Sequence, residues 1–475
     1  MGIRVGFLSL LIVCFPLSTA SAQSLSRLVP NLVFAEVTLA PGPTTTPPVP
    51  GTPHTAHFSP FNPLFGMDAP TQAILDNQLR QVPVLIQQAN SQLATFPVGS
   101  SSGGFTYRFN PDLGTFSRSS ESFGALLTER ALTLGQGQFS FGTVYQHTSY
   151  DKYEDFSLKN PEIIFYYPHN DCCPGQTAVG VPGGDDSLLN PSFEGDVLEN
   201  ALTLDLRTET FAFFATAGVT NSLDIGVAVP IIQVKLDAAV RRRVIRFATE
   251  TNPLVHSFDN QGLDTQTTSA SGESIGVGDV LLRTKYQFFG SARGALALGG
   301  EVRLPTGDET ELLGTGTVQG RIALLATTMM GAASLHANIG YTKSGSASED
   351  AAADFVPAPA DEINYAIGTD VVVHPRVTAV FEVAGRRLAD VERVVTESLN
   401  VRFTTLTTPT VIQTSILPGL GIRQGDMNLV LGATGLKVNL TRTLLLNAAV
   451  LFPLTENGLH NRTTASIGVD YTFGR

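Results

Sequence analysis

Asp279-Val280-Leu281-Leu282-Arg283-Thr284-Lys285-Tyr286-Gln287-Phe288 is the stretch whose two-residue rhythm decides the fold. Val280, Leu282, Tyr286 and Phe288 share one parity, and Asp279, Arg283, Lys285 and Gln287 share the other. Successive side chains of a strand point to opposite faces, so this is a strand with an apolar side and a charged side. The same sorting sets Leu296, Leu298, Val302 and Leu304 against Glu301 and Arg303, and Val318, Ile322 and Leu324 against Gln319 and Arg321. Val377, Ala379, Phe381 and Val383 likewise oppose Glu382 and Arg386. By the same rule Leu202, Leu204 and Leu206 are expected on the apolar face, with Asp205, Arg207 and Glu209 on the charged one. A lipid-facing Arg or Lys near a bilayer midplane costs about 2 to 4 kcal/mol, which assigns the apolar parity to lipid and the charged parity to an interior. Taken singly, the inward charges read as an ion-pair network that stiffens a wall; taken together, they read as the lining of a solute path.

The connections between such segments alternate in length. Tight links stand near Thr220-Asn221-Ser222, Gly290-Ser291-Ala292, Met330-Gly331, His374-Pro375 and Asn439-Leu440-Thr441-Arg442, while others are long, as from Asp151 to Glu199. Bacterial outer-membrane barrels have short periplasmic turns and long outer loops. Strand starts near Gly137, Leu198, Ser222, Ile275, Arg293, Gly314, Ala332, Asp361, Arg376, Gly425, Thr443 and His460 predict an all-β fold. It is an antiparallel transmembrane β-barrel of about 12 strands, with both termini on the periplasmic side and an N-terminal, partly helical segment. Between 392 and 417, Val401, Phe403, Thr405 and Val411 make either a hairpin above the membrane or two more crossings, giving about 14 strands. The last segment sets Ala465, Ile467, Val469, Tyr471 and Phe473 against Ser466, Gly468, Asp470 and Thr472. It reads as a closing strand, although Gly474-Arg475 follows the aromatic. The sequence has no Trp, so an aromatic girdle must be built from Tyr and Phe.

The N-terminus supplies a compartment. Arg4 precedes an apolar run from Phe7 to Leu17, and Ala20-Ser21-Ala22 offers a small-residue cleavage site, the form of a secretory signal peptide. Leu11-Ile12-Val13 before Cys14 is too bulky for lipoprotein processing. No later run of roughly 18 apolar residues would span as a helix. The chain has 45 Gly, 28 Phe, 43% hydrophobic and 15% charged residues, a mildly apolar composition without hydrophobic blocks, as suits a barrel. A net charge of -12 argues against a nucleic-acid binder, which presents a basic face. Cys172 and Cys173 are adjacent and cannot staple distant segments. The run Pro168-His169-Asn170-Asp171-Cys172-Cys173 lacks a second ligand pair, so neither a metal nor a cofactor is expected.

Ahead of the barrel the chain changes character. Pro41 to Pro53 is dominated by Pro, Thr and Gly and reads as an extended tether. Leu75, Leu79, Val82, Ile86, Ala89 and Leu93 then recur at helical steps, and Pro83 is expected to kink or interrupt that helix. The helix reads as packed at the periplasmic mouth or as part of a luminal plug. Gly99-Ser100-Ser101-Ser102-Gly103-Gly104-Phe105 and Glu129-Arg130-Ala131 suit a hatch across the lumen as well as a loop beside the rim. Phe105, Glu129 and Arg130 are the plug candidates. The expected organisation is a signal peptide (1–22), a disordered tether (23–61), a helical and glycine-rich plug-like segment (62–136) and the barrel (137–475).

Phe123-Gly124-Ala125-Leu126-Leu127-Thr128-Glu129-Arg130-Ala131-Leu132-Thr133-Leu134-Gly135 resembles the opening of the outer-membrane proteins named for the MetA pathway of phenol degradation. Gly276-Val277-Gly278-Asp279-Val280-Leu281-Leu282-Arg283-Thr284-Lys285-Tyr286 and Glu301-Val302-Arg303-Leu304-Pro305-Thr306-Gly307-Asp308 resemble that family's central hairpin. With Gly435-Leu436-Lys437-Val438 and Asp470-Tyr471-Thr472-Phe473, the likeness spans most of the chain after Ser120. The resemblance implies kinship with FadL-like transporters of hydrophobic compounds. It implies passive uptake of small hydrophobic or aromatic solutes through the outer membrane, with the membrane's lipids and assembly machinery as further partners. No glycine-lysine nucleotide motif would power such a step.

Two other classes stay in view. One is a non-transporting barrel that presents surface loops. The other is a lipid hydrolase, because His147 and Ser149 share a strand face and Gly99-Ser100-Ser101-Ser102-Gly103 and Gly272-Glu273-Ser274-Ile275-Gly276 match a nucleophile-elbow spelling. Nothing beside His147 identifies an orienting acid or amide, and neither spelling lies between a clear strand and a helix, so no enzyme activity is expected.

Overall fold

The computed structural model describes residues 24–39 (36 apart), 57–58, 69–95, 104–118 (111–114 apart), 120, 122–170, 196–346 (248, 250–255 and 260 apart) and 359–474 (406, 407 and 442 apart). The signal peptide, the Pro41 to Pro53 tether, most of the Gly99 to Phe105 run and Cys172-Cys173 lie outside the described residues. So do the side chains of Leu75 and Leu79.

Twelve strands form the wall. They are β1 (Gln138–Tyr150), β2 (Val197–Gly218), β3 (Leu223–Ile245), β4 (Val280–Ser291), β5 (Gly294–Leu304), β6 (Gln319–Met330), β7 (Ala333–Ser344), β8 (Glu362–His374), β9 (Val377–Thr405), β10 (Thr408–Asn439), β11 (Leu444–Pro453) and β12 (Thr464–Gly474). Each pairs antiparallel with its sequence neighbour. β12 pairs with β1 from Ala465↔His147 to Gly474↔Gln138, which closes the cylinder. Closure leaves no open edge in the wall, as hydrocarbon demands. The five tight links are where the sequence puts them, and between β6 and β7 Gly331 takes φ +64, a left-handed turn conformation that glycine adopts without a Cβ clash.

The outward parity is apolar around the wall. Leu282, Tyr286, Leu298, Ile322, Phe381 and Ile467 are exposed there. Near the short-turn rim Phe139, Tyr471 and Phe473 gather on the outside, with ring centroids 5.7 Å apart for Phe139–Phe473 and 5.6 Å for Tyr471–Phe473. The aromatic cluster is thus built from Phe and Tyr, as the lack of Trp requires.

Four strands are too long for a bilayer. β2 and β3 have 22 and 23 residues and β9 and β10 have 29 and 32, whereas about 9–11 suffice to cross. Their excess rises beyond the long-loop rim. Ile163–Asn170 pairs there with upper β2, and Thr265–Val277 pairs with upper β3 before the chain continues through Gly278-Asp279 into β4. The ambiguous 392–417 region is the top of the β9–β10 hairpin, so the crossings number twelve. Tyr166, Val197, Leu399 and Val401 join the two raised hairpins in one apolar cluster.

Two helices, α1 (Leu25–Val33) and α2 (Ala69–Ala94), fill the space these extensions enclose. α1 lies within the stretch expected to be a tether. It is helical and buried because Leu25, Leu28, Val29 and Val33 lie in the core formed with Ile232, Val234, Leu236 and Val240 of β3. α2 runs through Pro83 without interruption and presents Val82, Leu85, Ile86, Ala89 and Leu93 to the same core. Its position differs from the periplasmic mouth. Gln88 donates to the Glu392 carbonyl at 3.2 Å and Gln92 Oε1 accepts from the Leu459 N–H at 2.9 Å, both at the long-loop end. Ser24, the first described residue, is at that end too, since the Ser26 N–H donates to the Thr310 carbonyl.

The helices also explain an inverted parity. In upper β2, Leu202, Leu204 and Leu206 point inward into the helical core, and Asp205, Arg207 and Glu209 point outward, contrary to the sequence expectation. Above the membrane the exterior is water and the interior is apolar protein, so the charged parity turns out. Leu206 is 3% exposed, whereas the Arg207 side chain is 52% exposed and pairs with Asp205. The sign reverts below, where Phe211 and Phe213, of the same parity as Arg207, are exposed at the height of the bilayer.

This inversion predicts a labelling pattern. With Cys172 and Cys173 replaced by Ser, Arg207→Cys on intact cells reacts with a membrane-impermeant thiol reagent, and Leu206→Cys stays unreactive until the protein is unfolded. Equal labelling of the two would refute the reversal.

Candidate functional site: a plugged, charge-lined lumen

Residues 122–135 cross the barrel near the short-turn rim before the chain enters β1. Residues 122–135 have no regular structure of their own, so their buried N–H groups need partners from elsewhere. The wall provides them. Phe123 N–H donates to Thr378 Oγ1 at 3.1 Å, and the N–H groups of Leu126, Leu127 and Thr128 converge on the Glu382 carboxylate at 3.0, 2.7 and 3.0 Å. Glu129 N–H donates to Asn338 Oδ1 at 2.7 Å while Asn338 Nδ2 returns a bond to the Glu129 carbonyl at 2.8 Å. Ala131 N–H reaches Thr327 Oγ1 at 3.0 Å and Leu134 N–H reaches Asp224 Oδ2 at 3.0 Å. Lys437 Nζ donates to the Ala125 carbonyl.

Apolar contacts seat the same segment. Phe105 meets Phe123 edge-on with centroids 5.6 Å apart, beside Leu445. Ala131 and Leu132 lie on Ala295, Ala297, Ala323 and Leu325, mostly small residues that let the backbone approach the wall. Where the segment turns up into β1, a Cβ on Gly218 would stand 1.9 Å from the Gly135 carbonyl oxygen, so only glycine fits at 218. Arg130 is fully buried and folds over Gly124. Beneath it His336 bridges Thr327, at 3.1 Å, and Asp370.

Above this floor is a cavity of about 280 Å³. Its roof is the C-terminal end of α2, where Gln92 and Thr95 reach the lining, and its floor includes Leu127 and Glu129. Register sets Arg283, Glu301, Arg321, Thr342 and Glu362 side by side across β4 to β8, so one row of the wall is a belt of alternating charge. Arg283 Nε donates to Glu301 at 2.7 Å, Lys285 Nζ lies 3.7 Å from Asp224, and Arg386 Nη1 lies 3.5 Å from Glu362. Arg283 and Lys285 each stand 4.0 Å from Glu129 of the floor. Arg303 Nη1 donates to the Ala94 carbonyl at 2.7 Å, which ties the roof to the wall. Higher up, Arg393 pairs with Glu154, whose carboxylate raises the Arg393 pKa above its ordinary value.

Six of the expected lumen residues, Arg283, Lys285, Glu301, Arg303, Arg321 and Arg386, therefore meet in one cavity. Glu382 is inside but is taken up by the floor. Asp279 is buried at the rim, where it accepts from Gly307 N–H at 3.1 Å and Thr315 N–H at 2.9 Å and anchors the β5–β6 loop. Asp205, Arg207 and Glu209 are outside. Of the plug candidates, Glu129 faces the cavity, whereas Phe105 and Arg130 are buried among floor and wall. The sequence reading missed Asp224, Thr327, Asn338 and Glu362. Glu362 is detectable in retrospect, since Glu362, Asn364 and Ala366 alternate with the exposed Ile363, Tyr365 and Ile367.

The hydrolase candidates fall elsewhere. His147 faces outward with Nδ1 3.8 Å from Glu209 Oε1, and Gly272 to Gly276 lies within the raised strand rather than at a strand-to-helix turn. Gly99 to Gly103 lies outside the described residues.

A closed transmembrane cylinder with a luminal plug defines an outer-membrane β-barrel. Residues 190–382 match the family model described as a putative MetA pathway of phenol degradation, which bears out the resemblance carried by the central hairpin. No curated protein sequence matches the chain. Similar solved structures include an outer-membrane channel from Pseudomonas putida F1, with 11% identity over 72% of this chain and 98% of that one, at a TM-score of 0.41. A Pseudomonas aeruginosa FadL homologue has 10% identity over 71% and 89%, with a TM-score of 0.29. The CymD monoaromatic hydrocarbon channel has 11% identity over 72% and 90%, with a TM-score of 0.27.

Glu382 is the residue on which the floor most depends. Glu382→Ala leaves three N–H donors without their acceptor, a loss of about 3 kcal/mol at roughly 1 kcal/mol each. Hydrogen exchange at Leu126, Leu127 and Thr128 should accelerate by about a hundredfold, and Glu382→Gln should have a smaller effect. Unchanged exchange in Glu382→Ala would disprove this anchoring role.

Proposed function

We propose that the protein is a passive outer-membrane channel for small hydrophobic or aromatic compounds, with residues 122–135 as its gate. The observation that carries this reading is the cavity itself. Its roof and floor come from one chain segment that is not part of the wall, so the passage changes when that segment shifts and the barrel need not deform. The lining joins charged groups to apolar ones, the pattern of a small-molecule site. The phenol-degradation description of the matching family model supports an aromatic solute. A solute would enter from the long-loop side and leave toward the periplasm without energy coupling.

One observation favours a structural barrel instead: the helical core beneath the long loops and the bonded floor close both ends of the lumen. Flux of small aromatic solutes into vesicles with a lipopolysaccharide outer leaflet separates the two readings. The channel reading expects flux above that of protein-free vesicles and a several-fold rise when Glu382→Ala is combined with Asp224→Ala. No flux in either protein would establish the structural barrel. Phospholipid cleavage that vanishes in Ser149→Ala would instead restore the hydrolase.

A further inference from the structure

The cations of the cavity are not equally matched. Arg283 has Glu301, Arg386 has Glu362, and Lys285 has Asp224. Among the described residues Arg303 and Arg321 have no carboxylate within ion-pair distance. Arg303 bonds to the Ala94 carbonyl. Arg321 Nε is buried with no hydrogen-bond partner. Glu301, directly across from Arg321 in the β5–β6 register, is engaged by Arg283. The lining carries five Lys and Arg side chains against three Glu, and Asp224 behind Lys285 and Asp279 at the rim bring the nearby carboxylates to five, so the charges balance in number while Arg303 and Arg321 have no ion pair of their own. Asp279 keeps its negative charge but gives both oxygens to N–H and O–H donors of the β5–β6 loop, so it makes no direct bond to Arg303.

A guanidinium held in a partly enclosed space without a bonded carboxylate is costly. Here two such groups are close to each other. Arg303 pairs with Gln319 and Arg321 with Glu301, so the two arginines are diagonal neighbours on adjacent strands. Such positions stand roughly 7–8 Å apart at the backbone, a span that two long side chains can close around one planar anion. The other side of the cavity is apolar, with Tyr150, Leu429, Leu431 and Leu451 on the lining.

We infer that the cavity is a binding site for an amphipathic monoanion. A carboxylate sits between Arg303 and Arg321, and a small aromatic or apolar body lies against the leucine-lined side. This rests on the channel reading for how the ligand arrives, and it narrows that reading from hydrophobic solutes in general to organic acids. The apolar side distinguishes the site from one for inorganic anions.

The test is calorimetric titration of the full chain in detergent with benzoate and cinnamate, against benzamide, cinnamamide and sulfate. The acids should bind at least tenfold more tightly than their amides and than sulfate. Arg321→Gln and Arg303→Gln should each weaken acid binding about tenfold and leave amide binding unchanged. Arg207→Gln, on the outer face, should change nothing. Acids and amides binding alike, sulfate binding as well as the acids, no acid binding, or no effect of either luminal substitution would overturn the inference. The vesicle experiment reads the channel separately. Acid binding without flux would remove the channel and keep the site, and equal flux of acids and amides without acid binding would do the reverse.

Discussion

Every backbone amide that faces hydrocarbon must be paired within the protein, and the rest of the structure follows from that constraint. The pairing of β12 with β1 satisfies it by closing the cylinder. A closed wall has only two faces, so each strand's alternation has to divide lipid from lumen. The inward parity is then free to carry Arg283, Glu301, Arg321 and Glu362, charges that lipid would expel. The same constraint bears on the plug. Residues 122–135 bring unpaired N–H groups into a confined space, and the inward parity near the short-turn rim supplies Thr378, Glu382, Asn338, Thr327 and Asp224 to meet them.

Strand parity and turn position were legible in the sequence because both are local. The alternation from Asp279 to Phe288 needs no knowledge of distant residues, and five tight links were enough to fix the order of the hairpins. Parity gives two faces but does not say which medium each meets. In upper β2 the rule inverted because the interior there is protein. The leucines at 202, 204 and 206 belong to the core that α1 and α2 complete, and nothing within the strand announces the helices. Helical periodicity had the same limit. Val82, Ile86, Ala89 and Leu93 declared a face to bury, but their partners lie in strands more than 100 residues away in sequence.

The floor was the least legible part, for a physical reason. Its contacts join backbone groups, which are alike in every residue, to side chains some 90 to 256 positions distant. Glu382 was legible as an inward charge but not as a clasp. Asn338 and Thr327 carry no charge to mark them. By contrast, the six cavity residues found from sequence were all charged and all on strands crossing the bilayer, where an inward charge is nearly compulsory.

Roof and floor belong to one segment, and this limits how a passage can open. Seven backbone N–H groups of residues 122–135 are held by wall side chains. At roughly 1 kcal/mol each, withdrawing them all costs about 7 kcal/mol, a population on the order of one in 100,000. A thermally accessible opening must therefore be partial. The bonds are unevenly spread, with three on Glu382 alone, whereas Ala131 and Leu132 rest mainly on apolar contacts with alanines of β5 and β6. Sliding that half along an apolar surface breaks the bonds from Ala131 to Thr327, from Leu134 to Asp224 and from the Thr133 hydroxyl to the Asn221 carbonyl, and keeps the Glu382 clasp as a pivot. Glu129 sits between the halves and faces Arg283 and Lys285 across the cavity, so movement of the floor also changes the charge beside the belt. On the proposed channel reading, gate and binding surface are in this way one electrostatic unit, and a ligand that redistributes charge around Arg321 acts on both.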